Sequence, residues 1–258
     1  MPVLARPGGS ISYQVTGTGF PPLVLTHGYG ASGAMFGHNL AAAGARNLVV
    51  TWDIRGHGSS ESPADSGCYS ADAALGDMAA LLAELGLDRA VLGGHSLGGY
   101  LSLDFTLRHP DQVAGLVLIG TGPGFRNDAA RDDWNRRAHK TAARLEERGL
   151  AALGSGSELL GQHGDAGGLA RAARHTLTQR DAHVIDGLPS IQVPTLVIVG
   201  AEDAPFQAAA EYMTVKLPRA RKVVIPAAGH APNVDQPEQF NAELRAFLDE
   251  VAAAEEAA

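Results

Sequence analysis

Gly93-Gly94-His95-Ser96-Leu97-Gly98-Gly99 is the stretch of sequence around which this chain is organised. It follows a short apolar run at residues 90–92 and precedes a helix-like segment at residues 100–108. The spacing Gly94-x-Ser96-x-Gly98 fits the nucleophile-elbow pattern, in which a tight turn between a strand and a helix exposes one serine hydroxyl. Glycine is needed on both sides because a Cβ two residues before or after the serine would collide with the neighbouring helix or strand. Ser96 is therefore the candidate nucleophile, and the rest of the chain must supply its partners.

The composition is that of an ordinary globular protein, with 45% hydrophobic and 19% charged residues among 258. A chain of this length can form one large α/β domain or two small ones. The net charge of −8 argues against a nucleic-acid partner and against binding to an anionic membrane. A single cysteine, Cys68, excludes an internal disulfide. Because the sequence shows no apolar leader and no run of about 18 apolar residues, we expect a cytoplasmic protein. The oligomeric state is left open.

Short apolar runs alternate with helical patterns along most of the chain, which predicts βαβ units and a mostly parallel sheet. The predicted strands are residues 10–15, 22–26, 47–52, 90–92, 113–119, 193–199 and 221–225. The alternation stops between residues 124 and 189, where the pattern predicts helices and no strand. A segment of that length is far longer than an ordinary loop. We therefore predict a core domain formed by residues 1–123 and 190–258, interrupted by a helical insertion at residues 124–189.

A serine needs a base that takes its proton and an acid that orients the base. In open α/β sheets such groups gather at the carboxyl ends of strands. The loop after the strand at residues 113–119 has no carboxylate, whereas the loop after residues 193–199 contains Glu202 and Asp203. Asp203 is preferred because it lies further into the loop and its shorter side chain holds an imidazole more rigidly. His230 follows the last strand and is the one histidine beyond Asp203, which completes the chain order Ser-Asp-His expected with an elbow.

The reaction also requires two backbone N–H groups that face the developing oxyanion. Leu97, the residue after the nucleophile, supplies one. The turn His27-Gly28 presents the N–H of Tyr29 as the other, because it follows the strand at residues 22–26. His27 and His95 flank these loops and are expected to shape them through hydrogen bonds. The histidines of the insertion are expected at solvated surface positions; they are His139, His163, His175 and His183. No histidine pair has the spacing of a zinc helix, so no metal site is predicted.

Five motifs, in the right order and at the right strand ends, resemble those of the serine α/β-hydrolase family. They are residues 27–30, the loop Asp53-Ile54-Arg55-Gly56-His57-Gly58-Ser59, the elbow, residues 200–203 and Gly229-His230. The resemblance implies an eight-stranded, mostly parallel sheet with helices on both faces, a helical cap formed by the insertion, and no cofactor. It also implies that the loop at residues 53–59 is structural. Serine in the nucleophile position speaks against the epoxide hydrolases and haloalkane dehalogenases of the same fold.

The resemblance and the residues together favour hydrolysis of a carboxylic ester or a lactone, a small-molecule substrate, through an acyl-enzyme on Ser96. An acyl acceptor other than water stays possible. Two alternatives are kept: hydrolysis of a carbon–carbon bond in a dienone acid, and a ligand receptor built on a hydrolase scaffold. The dienone-acid relatives usually have a longer glycine-rich run and a following asparagine, where this chain has Tyr29 and His38. Four aromatic residues are candidates for the pocket wall: Phe36, Phe125, Trp134 and Phe206.

The predicted helix at residues 126–148 carries seven basic and five acidic residues in an otherwise acidic chain. A solvated helix face accounts for this charge pattern. Attraction of substrates that bear a carboxylate is the other explanation that the sequence leaves open.

Overall fold

In the computed structural model, which describes residues 1–156, 159 and 163–256, eight strands form one sheet. They are β1 (Val3–Leu4), β2 (Ile11–Thr16), β3 (Leu23–Thr26), β4 (Val49–Trp52), β5 (Ala90–His95), β6 (Val113–Ile119), β7 (Thr195–Gly200) and β8 (Ala220–Ile225). Their spatial order is β1-β2-β4-β3-β5-β6-β7-β8. The pairs β1–β2 and β2–β4 are antiparallel, and all other pairs are parallel. The predicted α/β fold with a mostly parallel eight-stranded sheet is confirmed.

Nine α-helices connect and cover these strands in the described residues. They are α1 (Gly37–Gly44), α2 (Ala71–Glu84), α3 (Leu97–Arg108), α4 (Asp128–Arg148), α5 (Ala166–His175), α6 (His183–Gly187), α7 (Ala204–Lys216), α8 (Pro232–Asp235) and α9 (Pro237–Glu256). A 3₁₀ turn at Gly33–Phe36 leads into α1. Side-chain caps fix several helix starts, because the first N–H groups of a helix have no partner within it. Ser70 accepts from the N–H of Ala73, and Asn127 accepts from the N–H of Ala130.

Two apolar cores lie on the two faces of the sheet. The continuous apolar runs of the central strands supply both, since alternate side chains point to opposite faces: Val24 joins one core and Leu25 the other. Helices α2, α3 and α7 cover the first face, with Phe105 as a fully buried ring. Helices α1 and α9 cover the second, with Phe247 as its counterpart. This sandwich holds the carboxyl ends of the parallel strands in fixed relative positions.

Between β6 and β7 the described residues contain the helices α4, α5 and α6 and no strand. Residues 157, 158 and 160–162 of the predicted insertion lie outside the described residues. Helices α4 and α5 share a small apolar core that includes Leu145 and Leu169. The side chain of Asp165 caps α5 by accepting from two backbone N–H groups. The name insertion is kept below for the described residues of 124–189.

Candidate active site

Ser96 lies in the tight turn between β5 and α3, with φ 50° and ψ −113°. It is one of only two non-glycine residues with positive φ in the described chain, which marks the turn as strained. A Cβ on Gly94 would lie 2.1 Å from the carbonyl carbon of Gly98, and a Cβ on Gly98 would lie 2.1 Å from the carbonyl oxygen of Thr26. Backbone cannot yield to such contacts, so both glycines are required for the elbow to form.

Two hydrogen bonds stabilise this strained residue from the neighbouring strand end. The N–H of Ser96 donates to the carbonyl oxygen of Ile119 at 2.9 Å. The hydroxyl of Thr121 donates to the carbonyl oxygen of Ser96 at 2.6 Å. Both the N–H and the carbonyl group of Ser96 are therefore hydrogen-bonded, and Ser96 lines a pocket.

The structure brings His230 and Asp203 together. Nδ1 of His230 lies 2.9 Å from Oδ2 of Asp203, and this carboxylate is only 4% exposed. Asp203 stands in the loop after β7, and His230 in the loop after β8. The ring of Phe206 stacks on the imidazole, with ring centroids 4.7 Å apart. Glu202, the other carboxylate of the loop, is exposed to solvent. Of the two carboxylates in this loop, Asp203 is therefore the one in contact with the imidazole.

The structure does not bring Ser96 and His230 into a hydrogen bond: among the described residues, no such bond joins Oγ of Ser96 and Nε2 of His230. Catalytic hydrogen bonds often become short only when substrate is bound, so this geometry is compatible with a nucleophile–base pair.

His95 connects the elbow to the loop that carries His230. Its Nε2–H donates to the carbonyl oxygen of His230 at 3.0 Å, and the two rings lie 4.6 Å apart. Burial, together with the neighbouring His230, lowers the pKa of His95 to about 3. The ring is therefore neutral, with its proton on Nε2. Its buried Nδ1 has no hydrogen-bond partner among the described residues and faces Gly28, where a Cβ would lie 2.5 Å from it.

The segment from Gly28 to Ala31 forms a β-turn against Ser96. The N–H of Ala31 donates to the carbonyl oxygen of Gly28 at 3.2 Å, and Gly30 has φ 76°, as a type II turn requires at its third position. A Cβ on Gly28 would lie 3.2 Å from Cβ of Ser96, so the turn is in contact with the nucleophile. Within the described residues, the N–H of Tyr29 has no hydrogen-bond acceptor.

The N–H of Leu97 is the second predicted donor. Leu97 is the first residue of α3, so its N–H has no partner within the helix. In the described chain it likewise has no other acceptor. The two backbone N–H groups without an acceptor thus belong to the residue after Ser96 and to the turn that contacts Ser96, which makes both candidate donors to an oxyanion.

Hydrogen bonds of His27 connect this turn to the loop that follows β4. Its Nδ1–H donates to the carbonyl oxygen of Gly28 at 2.7 Å, and its Nε2 accepts from the N–H of Ile54 at 3.0 Å. Burial lowers the pKa of His27 to about 4, so the ring stays neutral in this tautomer at neutral pH. The expected hydrogen-bonding roles of His27 and His95 are thus present in the structure.

A pocket of about 240 Å³ opens at Ser96 and Leu97. The structure places three of the four predicted aromatic residues on its wall: Phe125 and Trp134 of the insertion, and Phe206 of α7. Trp134 is fixed by a hydrogen bond from its indole N–H to the carbonyl oxygen of Leu177 at 2.9 Å. The wall is predominantly apolar, which is typical of a small-molecule site.

The prediction for Phe36 needs correction. Phe36 is fully buried and belongs to the core beneath α1 and α9, which also contains Phe240. It ends the 3₁₀ turn that leads into α1, and that turn directs its ring onto the sheet face opposite α3. An apolar residue shortly after β3 can serve either the pocket or the core, and the pattern alone does not distinguish them.

Arg137 also lines the pocket, although the sequence pattern did not indicate it. It is the one charged residue on the described pocket wall, and it is exposed at the rim. No ion pair to Arg137 occurs in the described part of the chain, whereas its neighbour Arg136 pairs with Asp133. Arg137 lies three residues after Trp134 on α4, so helical periodicity could have placed both on one face.

His163 departs from its expected solvated position. Although it belongs to the insertion, it is partly buried, and both ring nitrogens are hydrogen-bonded to loops of the core. The other three histidines of the insertion are exposed as expected; they are His139, His175 and His183. The partly buried position of His163 results from tertiary contacts, which a sequence pattern does not predict.

The loop after β4 is built from internal contacts. The carboxylate of Asp53 accepts from the N–H groups of Gly33 and Ser59 at 2.7 and 2.8 Å. Arg55 forms a two-point ion pair with Asp77 on α2, at 2.6 and 2.8 Å. These charged groups are occupied by the fold, in line with the structural role expected of the loop.

No group of three or more histidine, cysteine, aspartate or glutamate side chains in the described residues is arranged to hold a metal ion. Among the same residues, no helix has both the length and the apolar character needed to cross a membrane.

Comparison with known proteins supports one family. The alpha/beta hydrolase family matches residues 23–243. A pimeloyl-[acyl-carrier protein] methyl ester esterase from Aromatoleum aromaticum is 32% identical, over 84% of this chain and 94% of the relative. A putative carbamate hydrolase from Yersinia enterocolitica is 31% identical, over 92% and 91%. Among solved structures, a thermophilic esterase from Thermogutta terrifontis superposes with a TM-score of 0.83 and 28% identity, covering 96% of this chain and 97% of that one. The chain belongs to the alpha/beta hydrolase family.

Proposed function

We propose that this protein hydrolyses a carboxylic ester or a lactone through an acyl-enzyme on Ser96. The observation that carries the proposal is the Asp203–His230 hydrogen bond of 2.9 Å at the same edge of the sheet as the strained Ser96. A buried carboxylate on Nδ1 leaves the other ring nitrogen to act as the base. Membership in the family and the likeness to two esterases support an ester-type substrate.

The first half of the proposed reaction forms the acyl-enzyme. Oγ of Ser96 attacks the acyl carbon while Nε2 of His230 takes its proton, and Asp203 stabilises the imidazolium. The negative oxygen of the tetrahedral intermediate is bound by the N–H groups of Tyr29 and Leu97. The bond to the leaving oxygen then breaks, and that oxygen receives the proton from His230.

The second half releases the acid. A water molecule attacks the acyl carbon while His230 removes one of its protons, which forms a second tetrahedral intermediate at the same N–H groups. The bond to Oγ breaks, and Ser96 recovers its proton from His230. Water is consumed, no redox change occurs, and no step needs a metal or a cofactor.

The pocket indicates the substrate class. Its volume of about 240 Å³ suits a small acyl group, and its aromatic wall favours an apolar one. Arg137 at the rim favours substrates whose far end is negatively charged. We further propose that residues 124–189 act as a cap, because Phe125, Trp134 and Arg137 reach the pocket from this segment.

The decisive experiment measures turnover of the Ser96→Ala variant on a panel of p-nitrophenyl esters, a γ-lactone and a dienone acid. We expect the parent protein to hydrolyse one or more of the esters or the lactone. The variant should lose about a thousandfold or more in kcat and approach background. Exposed Ser190 provides the matched control, and Ser190→Ala should retain parental activity. Unaltered turnover by Ser96→Ala would refute the assignment, and turnover of the dienone acid alone would favour carbon–carbon hydrolysis instead.

A further inference from the structure

His163 joins the insertion to two loops of the core. Its Nε2–H donates to the carbonyl oxygen of Gly30 at 2.8 Å, and its Nδ1 accepts from the N–H of Gly58 at 3.0 Å. A backbone N–H can only donate and a carbonyl can only accept, so these two partners define one neutral tautomer. The imidazole thus connects the turn that follows β3 with the loop that follows β4.

The Gly30 carbonyl belongs to the turn that presents the proposed oxyanion donor. Gly30 is the third residue of the turn, directly after Tyr29, and its positive φ fixes the turn type. On its core side the turn is held by His27. On the side of the insertion it is held by His163, and also by the hydroxyl of Tyr29, which donates to the carbonyl oxygen of Leu169 in α5 at 2.9 Å.

The insertion lies in direct backbone contact with the core at this place. A Cβ on Gly56 would lie 2.6 Å from the carbonyl oxygen of Gly168 in α5. The ring of His57 packs against Tyr29 at a centroid distance of 5.4 Å and against His163 at 6.0 Å. Packing is therefore continuous from His163 through His57 to Tyr29 of the turn.

We propose that His163 is a positioning residue for the oxyanion donor. By holding the carbonyl of Gly30, it fixes the orientation of the turn and hence of the Tyr29 N–H. Turnover consequently depends on how the insertion packs against the core, although His163 is not among the residues that line the pocket. This inference rests on the proposed function. A donor must be placed within about 0.5 Å to stabilise a transition state, so a modest movement of the turn has a kinetic effect.

The test separates the two hydrogen bonds of His163. Nε2 of glutamine and Nε2 of histidine are separated from Cα by the same number of bonds. His163→Gln therefore retains an N–H that can donate to the carbonyl oxygen of Gly30. Oδ1 of asparagine occupies the position of Nδ1 of histidine. His163→Asn therefore retains only the acceptor for the N–H of Gly58. We expect His163→Ala and His163→Asn to lose about 10- to 100-fold in kcat with KM within about twofold, and His163→Gln to stay within about threefold of the parent.

The exposed histidine of α4 supplies the matched control, and His139→Ala should leave kcat unchanged. A second measurement is the affinity for a trifluoromethyl ketone, which forms a tetrahedral adduct and requires the oxyanion donors. That affinity should fall in parallel with kcat/KM across the His163 variants. The midpoint of urea unfolding, recorded for each variant, identifies any that is not folded under the assay conditions.

Three results would overturn the inference. One is parental kcat in His163→Ala. Another is equal loss in His163→Gln and His163→Asn, which would mean that the Gly30 contact has no special role. The third is a rise in KM at constant kcat, which would assign His163 to substrate binding. These outcomes are distinct from failure of the proposed function, because that failure appears as retained turnover in Ser96→Ala, whatever the His163 variants do.

Discussion

Nδ1 of His27 lies 2.7 Å from the carbonyl oxygen of Gly28, and that carbonyl belongs to the same peptide unit as the N–H of Tyr29. In a trans peptide the C=O and N–H bonds point in opposite directions. A donor that holds the carbonyl on the core side therefore turns the N–H away from the core interior. The proposed oxyanion donor is aimed by a residue that takes no part in the chemistry.

Because His27 makes one hydrogen bond to Gly28 and another to Ile54, we expect different substitutions of His27 to affect activity and stability separately. In His27→Asn, the amide N–H can still reach the Gly28 carbonyl, but the N–H of Ile54 loses its acceptor. We expect kcat within about tenfold of the parent and a loss of about 1–3 kcal/mol in unfolding free energy.

His27→Gln reverses the arrangement, because its carbonyl can accept from Ile54 while no donor faces Gly28. This variant should keep most of the stability and lose about 100-fold in kcat. Steady-state kinetics and urea unfolding of both variants check the prediction. The opposite pairing of effects would contradict it.

The Asp203–His230 contact predicts unequal roles for the two adjacent carboxylates. Asp203→Asn preserves the shape of the side chain but favours the wrong imidazole tautomer, and it should reduce kcat by about 10⁴-fold. Glu202→Gln removes an exposed carboxylate and should leave kcat within about twofold of the parent. Steady-state kinetics on one ester measures both. If Glu202→Gln were the defective variant, the acid would have been assigned to the wrong residue.

Three buried histidines predict how stability depends on pH. Burial lowers the pKa of His27 to about 4 and of His95 to about 3, and it lowers the pKa of His57 well below 6.5. Each therefore binds fewer protons in the folded chain than in the unfolded chain once the pH falls below about 6.5. Their contribution to stability is fully present above that pH and is lost as the pH falls towards the folded values.

Between pH 6 and 5, the unfolding free energy should fall by about 1.4 kcal/mol per pH unit for each histidine. For the three together the expected fall is about 4 kcal/mol per pH unit. Carboxylates titrate mostly below that interval, so it isolates the histidines. Urea unfolding at half-unit steps from pH 8 to 5 measures the slope. The exposed His139 serves as a control, because His139→Ala should not change it. A midpoint constant down to pH 5 would contradict the prediction.

Arg137 predicts a preference between two esters of similar size. With p-nitrophenyl butyrate and mono-p-nitrophenyl glutarate as neutral and anionic partners, Arg137→Gln should lower kcat/KM for the glutarate alone, by about two- to fivefold. The effect is modest because the side chain is exposed, and 0.5 M salt should reduce it by screening, in line with a Debye length of about 3–8 Å. Arg136→Gln is the control, since Arg136 is paired with Asp133. Equal losses on both esters would contradict the charge-based explanation.

Much of the fold follows from local sequence because the central strands are buried on both faces. Such strands must be apolar throughout, and β6 was predicted at the residues where it occurs. Strand β5 is longer than predicted, since it includes Gly93, where a side chain would lie 2.5 Å from Leu25. Strand β1 was not predicted, because two residues at a sheet edge show no pattern and exist only through pairing with β2.

The candidate site likewise has one part that local sequence predicts and another part that it does not. The elbow and the His230 loop are predictable because their position relative to strand ends is set by the order of elements along the chain. The role of His163 cannot be predicted from local sequence, because its partners Gly30 and Gly58 lie 133 and 105 residues away along the chain. Phe36 was placed wrongly for a related reason: the side of the sheet on which an apolar ring lies depends on how the turn before α1 is oriented.

The pocket wall has a consequence for how this protein can change. The groups proposed to break and form bonds stand in short loops anchored to the sheet, whereas Phe125, Trp134 and Arg137 come from the stretch between β6 and β7. Substitutions at these three positions should therefore alter which substrate is accepted and leave the proposed reactive groups in place. A directed-evolution library confined to these three positions would therefore explore new substrates while sparing His163 and the reactive groups, and most of its members should remain active.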